Sequence, residues 1–322
     1  MSPDSCQFLT SLIIIALAFL IDLLFGEPPD PVHPTVWMGK LIASLKPKAK
    51  GGNPKAEKFK GLLLCLFVTA SFAFPAYVIL HLVRQFLGLW AYTVFAAVML
   101  KMTFSVRGLS YYTMPIARAI ESGRVDEAKR WLPFIVRRNP EALSQSQIIS
   151  AAVESIAEST VDGITSPLFY FALFGVPGAI AFRAINTLDS MVGYKDREHV
   201  NIGWFSARID TFANYVPARL TALLMVLASA ILRKNWRASW RVLRRDKSRT
   251  ESLNAGWPMS AMAGALGVQL EKPGFYRLGE AGTVELSPMH IPQALCVMKT
   301  AVLLFAFFVI LPIIALWACL GI

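Results

Sequence analysis

Apolar residues along this chain fall in long blocks. Four runs, 8–25, 62–80, 86–104 and 295–320, are each near the ~20 residues a helix needs to cross hydrocarbon. Two weaker runs lie between them. One, 164–185, is broken by Gly175-Val-Pro-Gly178; the other, 216–232, is short and carries Arg219. The pattern predicts an all-α, polytopic membrane protein with four strong spanning helices and two segments that either span or re-enter. The first run has no basic lead and no small-residue cleavage site, so it reads as a retained helix and not as a signal peptide. The intervening segments 105–163 and 233–294 read as cytoplasmic helical and loop regions of one integral membrane domain covering 1–322. Within them, 251–287 is rich in Gly and Pro and reads as loops and short helices.

Charge orients these runs. The 322 residues are 55% hydrophobic and 16% charged, with a formal charge of +11. In a soluble protein that balance would point to nucleic acid. Here the cations collect in three loops: seven lysines in 40–60, seven Arg/Lys in 107–138 and eight in 233–249. The positive-inside rule makes all three cytoplasmic, and no nucleic-acid partner is expected. A parity constraint follows, because 107–138 and 233–249 share a side. The two weak runs between them both cross, leaving 186–215 outside, or both return, leaving it cytoplasmic. The Gly175–Gly178 break favours a segment that dips and returns, which a membrane tolerates only where the backbone is buried in protein or lines a cavity. Cys6, Cys65, Cys296 and Cys319 have no zinc-like spacing and imply no disulfide framework.

Five polar constellations interrupt this background. Asp22, Glu27 and His33 flank the Pro28-Pro29 stop after the first run; on composition alone a helix stop with a surface histidine is the favoured reading. Glu154, Glu158 and Asp162 follow one another at helical spacing. Like charges so placed repel by a few tenths of a kcal/mol per pair, which a cation such as Mg2+ would relieve; a solvated acidic face is the plain alternative. Arg183, Asn186 and Asp189 recur every three residues beside hydrocarbon, where polar groups mark a site, although Arg183 could snorkel and Asn186 could bridge helices. Arg208, Asp210, Asn214 and Arg219 form a fourth group, which also fits an interfacial amphipathic helix. Asn254 and Trp257 open a fifth, small-residue stretch suited to tight helix packing or to a bulky ligand.

The order and wording of these stretches resemble one family. Gly26-Glu-Pro-Pro29 with His33-Pro34 and Met38-Gly39, then Glu154-Ser-Ile-Ala-Glu-Ser-Thr-Val-Asp-Gly163, Ala184-Ile-Asn-Thr-Leu-Asp-Ser-Met-Val-Gly-Tyr194, Asn214-Tyr-Val-Pro-Ala-Arg-Leu-Thr221 and Asn254-Ala-Gly-Trp-Pro-Met-Ser-Ala-Met-Ala-Gly-Ala-Leu-Gly267 are similar to the adenosylcobinamide-phosphate synthases, the CobD/CbiB-type membrane proteins of cobalamin assembly. The likeness covers 21–42 and most of 107–287. It departs from the family pattern at Glu27, where Asp is usual, at Asn139, which lacks the usual carboxylate, and at Ser159 and Leu253.

The resemblance implies an ATP-dependent amide ligase of a bacterial or archaeal inner membrane. Its substrates are adenosylcobyric acid and aminopropanol or its phosphate, and ATP and Mg2+ are required. On that basis Glu154, Glu158 and Asp162 are the expected metal ligands, Arg183 and Arg208 the anion holders, and Asp189 or His33 the base. Asn186, Asp210, Asn214, Arg219, Asn254 and Trp257 are the expected substrate contacts. No G-x-x-x-x-G-K-[ST] loop is present to hold the nucleotide. Two rival expectations are a corrinoid transporter and a non-catalytic scaffold gathering other late cobalamin-assembly enzymes.

Overall fold

The computed structural model describes residues 3–280, 282 and 284–320. In chain order the helices are α1 (Pro3–Phe25), α2 (Pro34–Ala49), α3 (Pro54–Lys101), α4 (Val106–Glu121), α5 (Val125–Trp131), α6 (Gln145–Thr160), α7 (Ser166–Val192), α8 (Trp204–Ala213), α9 (Tyr215–Ile231), α10 (Trp236–Asp246) and α11 (Gly256–Leu266). An antiparallel hairpin follows, β1 (Leu270–Lys272) and β2 (Tyr276–Leu278), and then α12 (His290–Phe305) and α13 (Leu311–Leu320). The eleven-residue α11 is a short helix of the kind expected over 251–287, and the hairpin is an addition to that expectation.

Among the described residues four helical stretches are long and apolar enough to cross a membrane, Cys6–Phe25, Pro54–Glu121, Gln145–Val192 and His290–Leu320; α8 and α9 counted together make a fifth. This is the architecture of a multi-pass membrane protein. The runs 62–80 and 86–104 share one helical stretch, and the weak run 164–185 lies inside another. Each of these two stretches contains a break: Gly88 (φ 80°, ψ −176°) in α3 and Gly175 (φ 66°, ψ −165°) in α7. Only glycine enters that backbone region readily, so the Gly175 break expected from the sequence is real and has a counterpart at Gly88.

The chain divides into two compact units, each assembled from separated stretches. One comprises the described residues of Met1–Ser105, Ser166–Ala213 and Phe308–Ile322. In it α1 is apolar nearly throughout and is stopped at Gly26 (φ 69°) and the two prolines beyond. Pro34 and Pro54 start α2 and α3, and His33 and Asn53 cap them through Thr35 N–H and Ala56 N–H. Ile42, Leu64, Val68, Leu188, Val192 and Ile202 form a packed core that joins α2, α3, α7 and the loop 193–203. Outward-facing Leu63, Phe67, Phe74, Phe86 and Trp90 stay exposed, as the lipid face of spanning helices requires.

The second unit comprises Val106–Thr165 and the described residues of Asn214–Phe307. Its centre is α11, buried along nearly its whole length because Ala261, Ala263, Gly264 and Ala265 present so little bulk. A Cβ at Gly264 would stand 2.6 Å from the Ala238 carbonyl oxygen of α10, and Ser239 donates to the Ala261 carbonyl at 2.8 Å. Buried Asp246 ends α10. It accepts two 2.7 Å bonds from Arg245 and one of 2.9 Å from Gly279 N–H, fastening the far end of the hairpin. Burial pushes the Asp246 carboxyl up, but the Arg245 and Gly279 bonds outweigh it and hold it below the usual range.

Candidate functional site

In the first unit, the last turns of α7 carry the Arg183, Asn186, Asp189 face. Asn186 is buried, and its amide donates to Oδ1 of Asp210, itself buried on α8, at 3.2 Å. Two of the expected substrate contacts are therefore brought together across 24 residues of sequence. Arg183 and Asp189 are half-buried on the same helix, and Arg208 is exposed, its guanidinium over the Trp204 ring at 4.7 Å. Glycines shape this corner: a Cβ at Gly193 would run into the Asp189 carboxylate, and one at Gly203 would overlap the Val192 carbonyl.

The loop 193–203 is fastened to the lysine-rich corner between α2 and α3. Glu198 pairs with Lys50 and, at 3.6 Å, with Lys46. Asn201 donates to Glu57 at 3.0 Å, and Glu57 also accepts Gly51 N–H at 3.0 Å. The Lys50 hydrogen bond and charge hold the Glu198 carboxyl below its ordinary range, and His199 does the same for Asp196.

A largely buried ionic cluster closes the C-terminal end of α1. Lys101, 1% exposed, reaches Glu27 Oε1 at 2.7 Å and Asp22 Oδ1 at 3.2 Å. Glu27 Oε2 meets His33 Nε2 at 2.8 Å, while His33 Nδ1 accepts Thr35 N–H at 3.2 Å. Because Nδ1 accepts, the ring's proton sits on Nε2 and is donated to Glu27. Both ring nitrogens of His33 are thus engaged, in bonds to Glu27 and Thr35. Burial raises the Glu27 carboxyl, but hydrogen bonds from His33, Lys101 and Ser105 prevail and bring it down to about 2. The sequence reading passed over Lys101, although it is the only formally charged side chain in the run 86–104, and that isolation was the available signal.

In the second unit the three α6 carboxylates separate. Glu154, 2% exposed, accepts from Arg138 Nη2 at 2.5 Å, the Tyr276 hydroxyl at 2.6 Å and Ser150 Oγ at 2.7 Å. Glu158 is exposed, and Asp162 is half-buried in a π turn, Val161–Thr165, that breaks the α-helical spacing. Among the described residues no three His, Cys, Asp or Glu side chains gather as a metal site. The expected three-carboxylate set is corrected accordingly: Glu154 is used by Arg138, Tyr276 and Ser150 because the hairpin covers it. Burial and then Glu154 push the Tyr276 phenol far up, with Glu158 adding to the effect. Neither Arg138 nor Tyr276 was singled out from the sequence as a site residue.

The expected contacts Arg219, Asn254 and Trp257 do meet. Arg219 donates to Asn254 Oδ1 at 2.7 Å and to the Tyr215 carbonyl at 2.8 Å. Its guanidinium lies over the Tyr215 ring at 3.4 Å and the Trp257 ring at 4.8 Å, and Lys247 covers the same indole at 4.5 Å. Asn214, immediately before α9, is buried. Stacked guanidinium and ammonium groups on aromatic faces give a rigid cationic ledge.

The family described as CobD/CbiB protein matches residues 15–301. A cobalamin biosynthesis protein CobD of Geobacter metallireducens is 42% identical over 80% of this chain and 80% of its own. Proteins of the same name from Dehalococcoides mccartyi and Klebsiella pneumoniae are 39% and 37% identical, covering 88% and 83% of this chain and 90% and 84% of theirs. No solved structure matches the chain. A match that runs from α1 into α12, joined by relatives similar over most of both lengths, places this chain in the CobD/CbiB family.

Proposed function

We propose that this cobalamin biosynthesis protein is an ATP-dependent amide ligase of the cytoplasmic membrane, joining adenosylcobyric acid to aminopropanol or its phosphate. The observation that carries the reading is the bond of loop 193–203 to the lysine corner. By the positive-inside rule that corner is cytoplasmic, so the Arg183 to Asp210 face opens where ATP and the corrinoid are found. This favours the returning arrangement of the two weak runs.

A carboxylate is a poor acyl donor. Attack of the propionate oxygen on the γ-phosphorus of ATP forms an acyl phosphate and releases ADP. The amine then attacks the acyl carbon, the C–O bond breaks, and phosphate and one proton leave. Arg183 and Arg208 hold the anionic groups, and Asp189 takes the amine's proton. Asp210 orients the Asn186 amide toward the amide-fringed corrin, and Asn214, Arg219, Asn254 and Trp257 provide further contacts. Mg2+, when bound, would neutralise phosphate charge. Phosphate-bound magnesium needs only one or two protein carboxylates, so Glu158 and Asp162 fit it and Glu154 does not. His33 serves by fixing Glu27.

The test is amide formation by purified, reconstituted protein supplied with ATP, Mg2+, the corrinoid acid and the amine. Asp189→Ala is expected to lower the rate by about 10²–10⁴-fold, and Glu158→Ala to lower it strongly, with membrane insertion unchanged. Full activity in both variants would sink the assignment, and a wild-type protein that forms no amide would sink the ligase reading.

A further inference from the structure

The second unit contains an open groove of about 630 Å3 lined by the hairpin, by Gln147 of α6 and by Arg249 after α10. That is the size of ordinary small-molecule sites, about 300–1,000 Å3. Its lining is cationic beyond what its carboxylates cancel. Arg249 contacts Asp246 at 3.1 Å, but that carboxylate already takes both prongs of Arg245. Arg277 pairs with Glu271 at 3.1 Å while 72% exposed, and an exposed pair of this kind is weak and easily exchanged. Lys272 makes no ion pair among the described residues; its ammonium lies over the Phe275 ring at 4.5 Å. Phe275, 61% exposed at the hairpin tip, leaves an aromatic face open beside these charges.

The frame behind the groove is fixed. Ser150 accepts Glu271 N–H at 2.8 Å, Gln147 donates to the Glu271 carboxylate at 3.2 Å, and Tyr276 is bonded to Glu154. Asp246 ties Gly279 to α10, the helix of the eight-cation segment 233–249 that the positive-inside rule keeps in the cytoplasm. Aromatic side chains stack on nucleobases, and converging Lys and Arg side chains make charge-assisted bonds to phosphates.

We propose that this groove is the nucleotide site, with the purine stacked on Phe275 and the triphosphate lying across Lys272, Arg277 and Arg249. The inference rests on the ligase reading, which requires ATP, and it gives the nucleotide a place in a chain that has no P-loop. Glu158 bears on Tyr276, which puts the candidate magnesium carboxylate in the neighbourhood of the same hairpin.

The test is binding of a fluorescent ATP analogue, displaced by ATP, to the full chain in nanodiscs of neutral lipid. Lys272→Gln with Arg277→Gln is expected to weaken binding at least about tenfold and to flatten its salt dependence. Phe275→Ala is expected to weaken it by a similar factor, and Phe275→Trp to preserve it. In wild-type protein, 8-azido-ATP should label the peptide 270–278; labelling confined elsewhere overturns the proposal, whatever the variants do to folding. Inorganic triphosphate competing as well as ATP, with Phe275→Ala silent, also overturns it, as does displacement of the analogue by anionic lipid. If the variants bind ATP normally while wild-type protein forms the amide, the groove assignment fails and the ligase reading stands. If wild-type protein neither binds ATP nor forms the amide, both fail.

Discussion

Each unit buries a carboxylate among charged partners, and the two solutions differ. In the second unit Glu154 meets one arginine and two hydroxyl donors, so charge balances and every strong group is bonded. In the first, Lys101 faces both Asp22 and Glu27, and His33 and Ser105 supply further bonds to Glu27. A balanced cluster can lose a member and still relax toward water. One in which a cation serves two carboxylates leans more heavily on that cation. The comparison separates a cluster that fixes a hairpin from one that holds opposite charges at the end of a membrane helix.

Lys101→Met should test this most severely. It removes the cation shared by buried Asp22 and half-buried Glu27, and removing one partner of a buried pair costs about 3–5 kcal/mol. Thermal unfolding in detergent should show a large loss, partly recovered by adding Asp22→Asn. Glu154→Gln should cost less, about 2–3 kcal/mol, since Arg138 at 13% exposure can turn its charge outward. A larger loss for Glu154→Gln than for Lys101→Met would reverse the comparison.

Acid should discriminate further. Glu27 titrates at about 2 in the folded chain against an ordinary 4.5. A lowered carboxyl stabilises the fold fully above its unfolded value and loses that contribution as pH falls toward the folded one. The stability supplied by Glu27 should therefore drain away between about pH 4.5 and 2, and a Glu27→Gln protein should show a shallower decline there. Equal slopes would remove Glu27 from the account. The smallest stability effect belongs to Arg208→Gln. An exposed arginine stacked on Trp204 should change unfolding by less than about 0.5 kcal/mol while slowing amide formation, so a marked drop in melting temperature would mean its role is structural.

Much of the fold was legible because hydrocarbon imposes one rule on every residue it touches. The runs 8–25, 62–80 and 295–320 fall within long helices, and the Gly175-Val-Pro-Gly178 punctuation marks a real break. Side-chain partnerships across the chain were not legible. Asn186 and Asp210 were each singled out, but their bond depends on how α7 and α8 pack. Helical spacing put Glu154 and Glu158 on one face; burial of the first and exposure of the second depend on a hairpin more than a hundred residues later. That hairpin escaped notice because Gly and Pro signal a turn without saying what the turn covers.

The bond between loop 193–203 and the lysine corner also sets a timetable. Glu198 follows Lys50 by 148 residues, and Asn201 follows Glu57 by 144. At a synthesis rate of roughly 5–20 residues per second, the corner waits about 7–30 s for its partners. Through most of that interval Glu198, Asn201 and the polar face of α7 have not yet been made. The nascent chain therefore passes through a stage in which its first helices are anchored but its working corner is still open, and that stage closes only when Glu198 leaves the ribosome.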